Sequence, residues 1–94
     1  MSYFVYILSN HNGQDLEIGV SDNPKRVVDD RRAAILNTPT AKAPPAYLVF
    51  FYKFDTEDEA RDLESEILSK SWILQTRYIN HANPEWHDLY YNLV

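Results

Sequence analysis

The sequence predicts an α+β domain in which helices cover one three-stranded antiparallel sheet, in the order β-β-α-β-α-α. Two aromatic and β-branched runs, residues 3–10 and 46–54, have the composition of buried strands. Helix-capping residues followed by amphipathic segments occur at Asn23 and at Thr56. A chain of 94 residues has room for one hydrophobic core. We therefore expect residues 1–94 to form a single domain.

The first half of the chain predicts a hairpin followed by a helix. Residues 3–10 (Y-F-V-Y-I-L-S-N) show little polar alternation, which is typical of a strand buried on both faces. A turn containing Gly13 follows, and residues 16–20 (L-E-I-G-V) alternate as a second strand would. Asn23 then caps a helix that is expected from Pro24 to about residue 36.

The second half predicts one more strand and up to three helices. A proline-rich loop, 37–45, leads into residues 46–54, the strongest strand signal and the expected central strand. A helix is expected over 57–70. Residues 72–80 favour a third helix, although their Ile and Tyr content leaves a strand open. A second Asn-Pro pair predicts a short closing helix over 85–93.

Each of the two long helices carries one charge on its apolar face. At about 100° per residue, Glu64 lies between Leu63 and Ile67 on the face that should meet the core. Arg31 lies likewise at the centre of the apolar face of the first helix. A charge turned toward a core is costly unless it is paired, neutralised or metal-bound. The pattern predicts either a polar pocket between these helices or a structural Glu64–Arg31 ion pair.

The net charge restricts the possible partners. Nine basic residues face fourteen acidic ones, giving −5, whereas proteins that grip a phosphate backbone usually present a basic face. DNA binding would therefore be local, weak or metal-assisted. The chain has no cysteine and no apolar run of about 18 residues, so we expect a cytoplasmic protein that does not enter a membrane.

Four segments, taken together, resemble a known family. They are F-V-Y-I-L (Phe4 to Leu8), L-E-I-G-V (Leu16 to Val20), E-A-R-D-L-E-S-E-I (Glu59 to Ile67) and A-N-P-E-W-H-D-L-Y (Ala82 to Tyr90). The first two resemble the signature strands of the GIY-YIG endonuclease superfamily, the third its glutamate-bearing helix, and the fourth the tail of its small stand-alone bacterial members. The N-terminal nuclease domain of the excinuclease is of the same type. The resemblance extends over essentially the whole chain.

This resemblance implies cleavage of DNA phosphodiesters with one divalent cation, Mg²⁺ or Mn²⁺. It assigns the metal to Glu64 and places Tyr6 beside the attacking water. Gly19 corresponds to the glycine of the second triplet, where backbone passes close to the site. Asn83 corresponds to a late polar residue that helps to shape the site.

The sequence also departs from the family pattern. Glu17 replaces the second-triplet tyrosine, Val27 stands where the helical arginine is expected, and Arg31 stands where a histidine is usual. Losing one donor that stabilises transition-state charge typically costs about 10²–10³ in rate. Either Arg31 or Arg26, which is adjacent to Val27, would have to hold the phosphate instead. We expect Arg31 to pair with Glu17 or Glu64, although Glu17 has a second reading as an extra metal ligand.

Two functional hypotheses follow. The first is a metal-dependent DNA endonuclease that uses Glu64 for the cation, Tyr6 near the water, and Arg31 or Arg26 on the phosphate. The second is a degenerate relative that has lost cleavage and serves as a nucleic-acid-binding or protein-interaction module, with a homodimer left open. The replaced site residues and the acidic net charge favour the second.

Overall fold

The computed structural model describes residues 1–37 and 45–93 and confirms the predicted α+β architecture. The proline-rich loop predicted over 37–45 therefore lies outside the described residues, apart from its two ends. The elements are β1 (Tyr3–Ser9), β2 (Leu16–Ser21), α1 (Pro24–Asn37), β3 (Tyr47–Phe54), α2 (Glu57–Leu68), α3 (Trp72–Ala82) and a C-terminal 3₁₀ turn (Leu89–Asn92).

The sheet is antiparallel with the strand order β2-β1-β3, so the prediction that residues 46–54 form the central strand is wrong. β1 is central because it pairs with β2 on one side and β3 on the other, which places Tyr6 opposite both Gly19 and Phe51. Residues Val5 to Ser9 are all buried. The unbroken apolar run thus marked the middle strand, whereas the aromatic run of β3 is partly exposed toward its end.

The alternation of β1 side chains divides the core between two layers. Val5 and Ile7 face α2 and α3, where Ala60, Ile67 and Ile79 complete one fully buried cluster. Tyr6, Leu8, Val28 and Leu48 form the other cluster, on the side of α1 and the C-terminal turn. The register therefore assigns Tyr6 to the α1 side of the sheet.

The region after α2 contains one predicted helix and lacks another. Residues 72–82 are helical, with Ser71 as the N-cap, which resolves the helix-or-strand alternative. The closing helix predicted over 85–93 is wrong, because the structure has only the 3₁₀ turn there. The side chain of Asn83 bonds both backbone groups of His87, and Trp86 adopts a left-handed φ of 55°, so the segment is held as a loop.

Among the residues that the structure describes, no helix combines the length and the apolar character required to cross a bilayer.

Candidate functional site

The centre of the candidate site is the phenol of Tyr6, which lies against Gly19 across the β1–β2 pairing. Tyr6 is 7% exposed. A Cβ atom built on Gly19 would lie 2.4 Å from the Tyr6 hydroxyl oxygen and 2.6 Å from its Cζ. A side chain at position 19 would therefore collide with the ring. Here the glycine makes room for the tyrosine of the neighbouring strand.

Glu17 lies two residues before Gly19, on the same face of β2, and it binds Arg31 of α1 through two hydrogen bonds. Arg31 Nε donates to Oε1 at 3.1 Å and Nη2 donates to Oε2 at 2.6 Å. The side chains are 38% exposed for Arg31 and 31% for Glu17, so water still reaches the pair. Donating a hydrogen bond to Glu17 raises the pKa of Arg31, which keeps the guanidinium charged. Of the two partners expected for Arg31, the structure selects Glu17.

Glu64 pairs within its own helix. Its Oε1 accepts a hydrogen bond from Arg61 Nη1 at 3.1 Å, and Arg61 Nε also donates to Glu57 at 3.3 Å. The Glu64 side chain is only 17% exposed, so it turns toward the sheet as the helical pattern predicted. The predicted Glu64–Arg31 pair is not the one that forms, because a guanidinium one turn away on α2 is already within reach.

The charges of these groups act on the titration of Tyr6. Burial is the largest cause that raises the pKa of the Tyr6 phenol, and the charge of Glu17 raises it further. Glu64 acts in the same direction, while Arg31 and Arg61 lower the pKa. Because the net effect is a raised pKa, the phenol stays protonated at neutral pH. Two carboxylates and two guanidiniums thus influence one neutral hydroxyl through their charge.

The other predicted site residues have different surroundings. Arg26 is exposed and lines a shallow depression with Ser21 and Asp30. Val27 is half-buried against the α1-side cluster. Asn83 is buried, and its amide nitrogen donates to the carbonyls of Val49 at 3.0 Å and His87 at 2.8 Å. Its hydrogen-bonding capacity thus serves to hold the C-terminal segment against β3.

The donor set fits a divalent cation poorly. Mg²⁺ is usually held by one or two carboxylates with several waters. Glu17 and Glu64 are the carboxylates whose charge acts on Tyr6, and each already accepts a hydrogen bond from an arginine. No group of three His, Cys, Asp or Glu side chains suited to a metal occurs within the described ranges 1–37 and 45–93. A cation would have to compete with a guanidinium for either carboxylate.

Sequence reasoning missed Arg61, which supplies the second positive charge near Tyr6. The signal was present, because Arg61 lies three residues before Glu64 and four after Glu57, the spacings that bring side chains together on a helix. A charged residue on an apolar face should therefore be checked first against its own helical neighbours.

Comparisons with known proteins support the fold. The solution NMR structure of a UPF0213 protein from Bacillus halodurans matches with a TM-score of 0.60 and 20% sequence identity, covering 94% of this chain and 93% of that one. No family model and no curated protein sequence matches the chain. At this identity the likeness concerns the fold alone. The chain therefore shares a small α+β fold with that UPF0213 protein.

Proposed function

We propose that this chain is a GIY-YIG-like, nuclease-derived domain whose DNA-cleaving function is lost and which now acts as a binding module. The observation that carries the proposal is the two-bond pair between Glu17 and Arg31. It supports the degenerate alternative rather than the active endonuclease, for three physical reasons.

The first reason is that the guanidinium that would have to hold a phosphate is already paired with a carboxylate. Transition-state charge on a phosphoryl group requires a positioned positive donor. Arg31 lies four residues, about one helical turn, after Val27, the position of the family's missing arginine. Glu17 occupies the Nε and Nη2 groups of Arg31. An incoming phosphate would have to displace that carboxylate and then lie beside it. Two anions in contact repel each other, and partial burial strengthens the repulsion.

The second reason concerns the proton chemistry of Tyr6. A phenol that helps to deprotonate water works best when its own pKa lies near the working pH. Burial and the charge of Glu17 move the pKa of Tyr6 the other way, above its ordinary value of 10.0. Replacing a tyrosine with Glu17 in the second triplet therefore removes one phenol and makes the remaining one a poorer base.

The third reason is the electrostatic field of the whole chain. With nine basic and fourteen acidic residues the chain repels a polyanion at long range. Both guanidiniums near Tyr6 are neutralised by carboxylates, so the candidate site presents no local excess of positive charge to offset that repulsion.

The test is a plasmid assay with Mg²⁺ and, separately, Mn²⁺. We expect the wild-type chain to leave supercoiled plasmid intact, and neither metal to raise its melting temperature. The matched variants are Glu17→Tyr, which restores the family's residue and releases Arg31, and Glu64→Ala. Metal-dependent nicking by the wild type that Glu64→Ala abolishes would establish the active endonuclease and overturn the proposal.

A further inference from the structure

An apolar groove lies on the face of the sheet opposite Tyr6, between β3 and α3. Its volume is about 790 Å³. Phe50, Tyr52 and Phe54 of β3 form one wall, and Leu74 and Tyr78 of α3 contribute to the other. Phe50 is buried as the floor and meets Tyr78 edge-on at 6.4 Å between ring centroids, whereas Tyr52 is 56% exposed. The groove is thus built into the fold and open to solvent.

The groove runs beside a strand edge that is only half covered. β3 is one of the two outer strands of the sheet. The C-terminal segment covers its beginning, where Asn83 donates to the Val49 carbonyl and Asp88 accepts from the Leu48 amide. From Phe50 to Phe54, the described part of the chain places no strand and no capping side chain along the outer edge. Backbone donors and acceptors on such an edge are available to another strand.

The charged residues among the residues that line the groove are basic. Lys70 and Arg77 belong to this lining, whereas the acidic Glu66 lies at its border, hydrogen-bonded to the Tyr78 side chain. This local excess of basic groups contrasts with the net charge of −5 for the chain. An occupant with acidic groups beside apolar side chains would be attracted to this rim.

We propose that the groove and the free half of β3 form a docking site for an extended acidic peptide segment of a partner protein. The segment adds to β3 as a fourth strand, its alternate, apolar side chains enter the groove, and its carboxylates face Lys70 and Arg77. This is recognition by strand addition, in which the backbone supplies affinity and the pocket supplies specificity. The inference does not depend on whether the Tyr6 cluster cleaves DNA.

Two other occupants fit less well. In a symmetric dimer through β3 the same patch meets its own image, so a rim of like charge opposes the contact. Single-stranded nucleic acid stacks its bases on exposed aromatic faces. Here Phe50 is 7% exposed and meets Tyr78 by its edge, which leaves Tyr52 as the most open ring of the wall.

The experiment is titration of the ¹⁵N-labelled chain with a synthetic peptide of alternating leucine and glutamate, followed by NMR. We expect saturable shifts confined to the amides of the second half of β3 and of α3. The charge-reversed peptide with lysine for glutamate, and a peptide N-methylated at alternate positions, should bind at least about tenfold more weakly, because one loses the charge match and the other the strand hydrogen bonds.

Variants of the chain separate the groove from general electrostatics. Leu74→Glu and Arg77→Glu are changes of exposed residues and should each weaken peptide binding about tenfold or more. Lys25→Glu makes the same charge reversal on the exposed surface of α1, on the other side of the sheet, and should leave the affinity within about twofold, because solvent screens distant charges. Equal binding of the acidic and basic peptides, or no saturable binding, overturns the proposal.

The rival occupants give their own results. Tighter binding of an oligothymidylate than of the acidic peptide, lost in Tyr52→Ala, would replace the peptide with nucleic acid. Sedimentation showing a dimer that the peptide cannot dissociate, and that Leu74→Glu converts to monomer, would replace it with a second copy of the chain.

Discussion

Removing the Glu17–Arg31 pair should reveal a coupling that the alternative pair, Glu64–Arg31, lacks. The perturbation is a double-mutant cycle with Glu17→Gln, Arg31→Met and the double variant. Both single changes leave one charge unpaired at the half-buried site beside Tyr6. The double variant removes both charges together, so its free energy of unfolding should fall by less than the sum of the single losses.

The size of the coupling follows from geometry and exposure. Two charges about 4 Å apart at an effective dielectric of about 20 attract by about 4 kcal/mol before desolvation is counted. With side chains 38% and 31% exposed, solvent screening reduces this strongly. Exposed pairs yield about 0.2–1 kcal/mol in measured cycles. The two-bond geometry, with contacts of 2.6 and 3.1 Å, places this pair at the upper end, so we expect about 1 kcal/mol.

The assay is urea unfolding of the four proteins, and the control is a second cycle with Glu64→Gln and Arg31→Met. Because Glu64 bonds Arg61 instead, that cycle should be additive within about 0.3–0.5 kcal/mol. For a domain of this size, about 1 kcal/mol moves the melting temperature by about 4–8 °C, so melting curves provide a second readout. A Glu17–Arg31 coupling indistinguishable from zero, or a larger one for Glu64–Arg31, would refute the reasoning.

Three further predictions concern the same region. Gly19→Ala should destabilise the fold by about 1–3 kcal/mol in urea unfolding, because its Cβ would lie 2.4 Å from the Tyr6 oxygen, and the loss should shrink in a Tyr6→Ala background. The raised pKa of Tyr6 means that the folded chain keeps this proton to higher pH than the unfolded chain, so its stabilisation is fully present below pH 10.0 and lost above it. Tyr6→Phe should flatten the fall in unfolding free energy as the pH rises above about 10, and an unchanged slope would contradict that cause. Asp88→Asn should lower the free energy of unfolding by about 1–3 kcal/mol and speed hydrogen exchange at the Leu48 amide, because Asp88 accepts hydrogen bonds from Arg32, Leu48 and Tyr90. The control is Asp62→Asn, a change of an exposed residue that should leave both quantities unchanged.

The sequence was informative about which residues gather at the site and less so about their bonds. Glu64 on an apolar helical face predicted that its carboxylate turns inward, and the side chain is 17% exposed. The expectation that Arg31 pairs with a nearby carboxylate also holds. Arg31 pairs with Glu17 and not with Glu64 because of the distance between α1 and the hairpin. Helical periodicity gives no information about that distance.

Two predictions failed because local signals compete with longer-range contacts. The aromatic run of residues 46–54 has high strand propensity, yet it forms the outer strand, since pairing order depends on how the whole chain returns to the sheet. The second Asn-Pro pair resembles a helix start. Instead, the side chain of Asn83 forms hydrogen bonds with the backbone of Val49 and of His87. These bonds can form only after the C-terminal segment has packed against β3.

Composition, periodicity and capping residues located three strands and two helices and favoured the third helix, because these signals depend on neighbours within a few positions. The same information identified the charges that cannot face solvent freely. Strand order, the pairing of Arg31 with Glu17, and the open groove beside β3 arise from packing between distant segments. Such contacts depend on the distances between helices and sheet in the folded chain. The sequence contains the residues that make these contacts, but it does not contain the distances between them.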